Sequence, residues 1–140
     1  MAILGFHHVA IIASDYQRSK TFYTKILGAE ILAETYRPER ESYKLDLVFA
    51  DGSQIELFSF PHPPLRPTNP EAAGLRHLAF RVKNIEQEIH FLLQHQISCE
   101  PIRIDPLTGM KFTFFRDPDG LPLEFYEIIV DKLGDKNGLA

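Results

Sequence analysis

Hydrophobic and polar positions alternate in four short stretches of the chain, and each stretch holds one histidine or glutamate among apolar residues. The stretches are HVAIIA from His8, IELF around Glu56, HLAFRV from His77 and PLEFYE around Glu124. Successive side chains of a strand point to opposite faces of a sheet. The pattern therefore predicts four strands, each with an apolar packing face and a second face that carries a single His or Glu.

The chain nearly repeats itself. HVAIIASDYQRSKTFYTKIL matches HLAFRVKNIEQEIHFLLQHQ, and further on DGSQIELF matches DGLPLEFY at the same spacing to within one residue. In each copy a helix N-cap candidate, Asp15 or Asn84, follows the first strand. An amphipathic helix comes next, and its spacing predicts as core residues Phe22, Ile26 and Leu27 in the first copy and Ile85, Ile89, Leu92 and Leu93 in the second.

Each copy predicts a strand, a helix, a strand and a two-stranded hairpin that turns at an Asp-Gly pair. This order predicts an α+β domain over 1–130 with two βαβββ modules, the first at about 4–60 and the second at about 75–130. Five prolines in 61–74 predict an ordered linker, because proline does not fit a helix interior or a central strand. Residues 131–140 are predicted to be a polar tail.

Composition narrows the class of protein. The chain has 140 residues, of which 44% are hydrophobic and 24% charged, as is typical of a globular protein. A net charge of -4 argues against a nucleic-acid partner or an anionic membrane surface. A single cysteine, Cys99, excludes an intrachain disulfide, and neither a secretory signal nor a membrane-spanning apolar stretch is visible. We therefore predict a cytoplasmic protein.

The two histidines and two glutamates occupy equivalent points of the two copies, and strand parity places each on the face opposite the packing surface. By the same parity His7 falls on the packing face or at its margin. Imidazole nitrogens and carboxylate oxygens are ligands of borderline divalent metals. We predict one divalent metal per site (Ni, Zn, Co, Mn or Fe, with Ni or Zn favoured). The predicted protein ligands of the metal are His8, Glu56, His77 and Glu124. They leave coordination positions of the metal open to substrate.

The chain resembles the vicinal oxygen chelate superfamily, and in particular its small bacterial glyoxalase I-like (lactoylglutathione lyase) proteins. The resemblance rests on HHVAIIASD, FYTKILG, IELF, RHLAF and DPDGLPLEFYE and covers nearly the whole chain. It implies an open, cupped mixed sheet with helices on its outer face, a homodimer, and the same four metal ligands. It also implies proton transfer next to a metal-bound carbonyl through an enediolate, with Glu124 as the general base and Glu56 as the second choice.

Two positions depart from the glyoxalase I pattern. Ile12 stands where the family's arginine helps to hold the glutathione carboxylate, and Phe60 stands where the family has an asparagine. Charge-assisted hydrogen bonds contribute roughly 1.5–3 kcal/mol each, so a related small 2-oxo or anionic substrate competes with glutathione hemithioacetal. Cations expected near the site include Lys44 and Arg66, and the candidates for substrate binding are Arg37, Arg81, Arg103, Lys111 and Thr113.

Two other classes of function stay open. One is a different vicinal-oxygen-chelate enzyme, such as an epimerase, a ring-cleaving dioxygenase or a thiol transferase. The resemblance implies a second carboxylate ligand at Glu56, where these enzymes usually have a glutamine or no protein ligand. The other is a metal-free protein of the bleomycin-resistance kind that sequesters a ligand, against which the intact set of two His and two Glu counts.

Overall fold

The structure is a computed structural model that describes residues 2–130. The chain divides between Arg66 and Pro67, inside the predicted linker, into two compact units. The predicted tail, 131–140, lies outside the described residues. The first unit contains β1 (Val9–Ala13), α1 (Tyr16–Thr21), β2 (Glu30–Arg37), β3 (Ser42–Val48) and β4 (Gln54–Ser59), and the second contains β5 (Leu78–Val82), α2 (Ile85–Gln94), β6 (Arg103–Ile104), β7 (Lys111–Arg116) and β8 (Pro122–Glu127).

Each unit has its own four-stranded mixed sheet. The strand order is β1-β4-β3-β2 in the first unit and β5-β8-β7-β6 in the second. The first strand of each unit pairs in parallel with the last strand, and the other neighbours are antiparallel. The predicted βαβββ order of both copies, and with it the α+β class, is confirmed.

Both helices begin at the predicted caps. The Asp15 carboxylate accepts a hydrogen bond from the Arg18 amide at 3.1 Å, and the Asn84 side chain accepts one from the Gln87 amide at 3.0 Å. These bonds satisfy backbone amides that the first turn of a helix leaves without a partner. α1 is short and continues into a π-helical turn at Phe22–Ile26. Across residues 2–130, no helix is long and apolar enough to cross a membrane.

The predicted packing faces of the strands form the core of each unit. Buried strand residues include Ile11, Leu45, Leu47, Ile55 and Leu57 in the first unit and Phe115, Leu123 and Phe125 in the second. In α2, Ile85 and Leu92 are buried as predicted, whereas Leu93 is 53% exposed. Successive residues of a helix differ in direction by about 100°, so Leu93 turns away from the sheet that Leu92 contacts.

Both Asp-Gly pairs lie at hairpin turns, as predicted. Gly52, between β3 and β4, has a φ of 88°, and Gly120, between β7 and β8, has a φ of 82°. Such positive φ values favour glycine, which has no Cβ to clash with the backbone. The Gly52 amide donates to the Phe49 carbonyl and the Gly120 amide to the Asp117 carbonyl, which closes each turn.

A polar cluster joins α1 to the edge strand β2. Glu34 accepts hydrogen bonds from the Tyr16 hydroxyl at 2.5 Å and from the Lys20 ammonium at 2.8 Å. The bond from Lys20, followed by that from Tyr16, lowers the pKa of the Glu34 carboxyl. A carboxyl whose pKa is lowered by folding stabilises the folded state above its unfolded pKa, and loses that contribution as the pH falls through the folded pKa.

We expect Glu34→Gln to lower the free energy of unfolding at pH 7 by about 0.5–1 kcal/mol, because the ion pair with Lys20 is only partly shielded from solvent. The difference between wild type and variant should shrink as the pH falls below the folded pKa of Glu34. Urea unfolding between pH 7 and about pH 3 measures it, with the exposed Glu39→Gln as the control. A difference that is constant over this range would contradict the assignment.

Candidate metal centre

The first His–Glu pair lies on the face of the first sheet that is turned away from the core. His8 directly precedes β1, and Glu56 lies in the middle of β4, in register with Ala10. His8 Nδ1 comes within 3.4 Å of Glu56 Oε2. His7 is exposed, and its Nδ1 lies 2.9 Å from Nδ1 of His8. His8 is therefore the histidine that reaches the carboxylate.

The second unit builds an equivalent pair. Glu124 of β8 is in register with Ala79 of β5, and His77 stands directly before β5. His77 Nε2 lies 3.1 Å from Glu124 Oε1. The imidazole packs edge-on against the Phe114 ring, with the two centroids 5.0 Å apart. The aromatic contact and the contact with the Glu124 carboxylate together fix the orientation of this histidine.

The spacing within each pair suits two ligands of one metal ion. Donor atoms about 2.1 Å from a metal lie about 3.0 Å apart at a right angle and about 3.4 Å apart at a tetrahedral angle. The side chains of Glu56 and Glu124 are only 13% and 12% exposed, and a poorly hydrated carboxylate requires a nearby cation. Within residues 2–130 no three His, Cys, Asp or Glu side chains form a metal-binding group. The structure thus shows the four predicted ligands as two His–Glu pairs, one in each unit.

Two charged residues of β3 share the face of the first pair. Lys44 Nζ lies 3.5 Å from Asp46 Oδ1 and 3.9 Å from Glu56 Oε1. Asp46 is in register with Glu56 on the neighbouring strand. The ammonium therefore offsets part of the negative charge of two adjacent carboxylates. Nothing in the sequence singles out Asp46, because alternating charges are ordinary on the solvent side of a strand.

Three of the predicted substrate-binding residues lie on the same strand faces as the His–Glu pairs. Arg37, at the end of β2, places its guanidinium over the Phe58 ring of β4. Arg81 of β5 is in register with Tyr126 and lies on the same strand face as His77 and Ala79. Arg103 lies over the Phe112 and Phe114 rings and donates to Glu100 at 3.2 Å.

The other two predicted substrate-binding residues point to the packing side of the second sheet. Lys111 forms an ion pair with Glu86 of α2 at 2.7 Å. Thr113 is fully buried, and its hydroxyl donates to the Glu100 carbonyl at 2.6 Å. Odd-numbered residues of β7 face this side, because Phe114 shares the other face with Glu124. The structure therefore does not bring Lys111 or Thr113 beside His77.

Comparison with known proteins identifies the family. A model of the Glyoxalase/Bleomycin resistance protein/Dioxygenase superfamily matches residues 5–125. The chain belongs to this superfamily. Its members typically bind a divalent metal and small molecules, many are enzymes, and they often form dimers.

Relatives within the superfamily match almost the whole chain. Uncharacterized protein YwkD of Bacillus subtilis (strain 168) is 58% identical over 127 residues, which cover 91% of this chain and 99% of that protein. Uncharacterized protein YaeR of Escherichia coli (strain K12) is 57% identical over 121 residues, which cover 86% and 94%. The crystal structure of the glyoxalase family protein from Enterococcus faecalis has 52% identity and a TM-score of 0.83, and the match covers 91% of this chain and 100% of that one.

We expect the untagged protein to bind about one divalent metal ion per chain after loading with Ni²⁺ or Zn²⁺. His8→Ala and His77→Ala should each lose most of it, because each removes one nitrogen ligand. Plasma mass spectrometry on desalted protein measures the metal content. His90→Ala, an exposed histidine of α2, is the matched control. Undiminished metal in both site variants would show that the pairs are not ligands.

Proposed function

We propose that the protein is a metal-dependent enzyme of glyoxalase type, which moves a proton next to a carbonyl of a small substrate. The observation that carries the proposal is the His–Glu pair that both units present at ligand spacing. His8, Glu56, His77 and Glu124 would hold one divalent metal, with Ni or Zn favoured, in a site completed either within one chain or across a homodimer.

A divalent metal held by these residues would supply a Lewis acid, which lowers the barrier to removing a proton next to a substrate carbonyl. We assign the proton transfer to a carboxylate. Among residues 2–130, the contact of Glu124 with His77 uses Oε1 alone, which leaves Oε2 available to accept the proton. Glu56 has His8 near one oxygen and Lys44 near the other, so it is the second choice.

The substrate proposed first is a glutathione hemithioacetal, which would make the protein a lactoylglutathione lyase. A related small 2-oxo or anionic compound is the alternative. Ile12 is 53% exposed beside Phe58, and Phe60 stacks on the same ring. These apolar side chains stand where the resemblance implies polar contacts to glutathione, which supports the smaller substrate.

We expect Glu124→Gln to retain much of the bound metal but to lower the rate of proton transfer by about 10²–10⁴-fold, because an amide oxygen ligates a metal but does not act as the base. Metal-loaded protein is incubated in D₂O with the glutathione hemithioacetal of methylglyoxal or with hydroxyacetone. NMR then measures isomerised product or deuterium uptake. Glu30→Gln, at the exposed start of β2, is the control.

Two outcomes of this experiment would count against the proposal. Full turnover by Glu124→Gln with metal bound would exclude Glu124 as the base. Absence of both product and deuterium uptake in the metal-loaded wild type would argue against glyoxalase-type chemistry on these substrates and favour ligand sequestration.

We also propose that the chain forms a homodimer. Leu4 and Phe6 are fully exposed, Ile3 is 77% exposed, and Ile31 and Leu32 of the edge strand β2 are 48% and 56% exposed. Apolar side chains presented in a group are typical of surfaces that another chain covers. Sedimentation equilibrium should give twice the chain mass for the wild type, and Phe6→Ser should shift the equilibrium towards monomer. A monomeric wild type at micromolar concentration would contradict this proposal.

A further inference from the structure

We propose that the substrate carries a terminal oxyanion, a carboxylate or a phosphate, which binds the guanidinium of Arg37. This inference rests on the proposed function, because it names the substrate class of the same site. Arg37 pairs with Ser42 at one end of the first sheet, and Asp46, further along β3, pairs with Glu56. The arginine and the first His–Glu pair therefore share one sheet face.

Arg37 has no carboxylate partner in the described part of the chain. Its Nη2 donates to the Ser42 hydroxyl at 2.9 Å, and its Nε is buried with no acceptor among residues 2–130. Buried donors are normally hydrogen-bonded, so this guanidinium has unused capacity for an acceptor. Three other cations that the sequence predicts near the site have carboxylate partners: Lys44 has Asp46 and Glu56, Arg103 has Glu100, and Lys111 has Glu86.

Aromatic rings hold the guanidinium in position. Cζ of Arg37 lies 5.0 Å from the centroid of Phe58 and 5.8 Å from that of Phe60, and the two rings stack 6.0 Å apart. A guanidinium on aromatic faces is oriented and partly desolvated, which strengthens its hydrogen bonds to an anion. Ile12 extends this apolar surface. The two departures from the glyoxalase I pattern, Ile12 and Phe60, thus lie in the apolar surface beside the Arg37 guanidinium. The Arg40 guanidinium also lies over Phe60, 5.6 Å from its centroid.

The distance from Arg37 to the His–Glu pair limits the size of the substrate. Phe58 is two residues from Glu56 along β4, which is about 6.6 Å at the usual rise of a strand. The Arg37 guanidinium lies over that ring. A substrate held near Glu56 by two neighbouring oxygens needs a chain of about three to five carbon atoms to reach it. Of the two substrates proposed above, this length favours the small anionic compound over the glutathione hemithioacetal.

Three probes with the same vicinal diol test the inference: glycerol 3-phosphate, 3,4-dihydroxybutanoate and glycerol. Isothermal titration of Ni²⁺-loaded wild type should show at least one anionic probe binding about tenfold or more tightly than glycerol. Arg37→Met keeps an apolar chain over Phe58 but removes the charge, so this preference should disappear. The anionic probe that binds more tightly identifies the oxyanion as phosphate or carboxylate.

Two further variants separate charge from geometry. Arg18→Met removes the same charge from α1, whose Tyr16 stacks on Tyr43 on the opposite side of the sheet, and should leave all affinities within about twofold. Arg37→Lys keeps the charge but loses the planar pair of donors, so its affinity for the anionic probe should be intermediate. Thermal melts monitored by circular dichroism confirm that each variant is folded.

The outcomes distinguish this inference from the proposed function. If anionic and neutral probes bind the metal-loaded wild type equally, or if Arg37→Met keeps the preference, the inference is wrong and the metal site stands. If the wild type binds no metal, the proposed function fails. Inorganic phosphate is then titrated into metal-free protein, and the NMR resonance of the Arg37 Nε–H is followed. The inference is overturned if phosphate leaves that resonance unchanged.

Discussion

Parallel pairing of the first and last strands of each unit is the constraint on which the candidate site depends. β1 lies beside β4 and β5 beside β8, although a helix and two strands intervene in the chain. The registers are equivalent, since Ala10 faces Glu56 and Ala79 faces Glu124. The small alanine side chain beside each glutamate leaves space around the carboxylate. The histidine, two residues before the alanine on the same face, can therefore reach the carboxylate. A slip of one residue would turn the glutamates into the core.

The two faces of each sheet differ in role: one packs in the hydrophobic core, and the other carries the His–Glu pair. Fully buried leucines such as Leu45, Leu57 and Leu123 lie on one face and provide the hydrophobic free energy of folding. Nearly buried carboxylates lie on the other, where lost hydration lowers stability unless a cation compensates. The face that carries the His–Glu pairs therefore contributes little to the stability of the fold.

The two units keep the His–Glu pair but differ around it. The first surrounds its pair with charge, through Lys44, Asp46 and Arg37. The second has aromatic rings around its pair, with the Arg103 guanidinium over two of them, and there the Tyr126 hydroxyl bonds to Asp105 at 2.8 Å and to Thr108. Both units thus place an arginine over two phenylalanine rings on the face of the His–Glu pair, and they differ in the polar groups beside it.

Local pattern was enough to predict the element order, the caps at Asp15 and Asn84, and the strand faces of both His–Glu pairs, because periodicity and capping depend on residues close in the chain. Local pattern did not predict the orientation of a side chain whose strand has apolar residues on both faces, nor contacts between residues far apart in the chain. Thr113 lies between Phe112 and Phe114, and aromatic residues on both faces of β7 hide its parity. The ion pairs of Lys44 with Glu56 and of Lys111 with Glu86, and the lack of one at Arg37 among residues 2–130, depend on which strands and helices become neighbours, which only the tertiary structure decides.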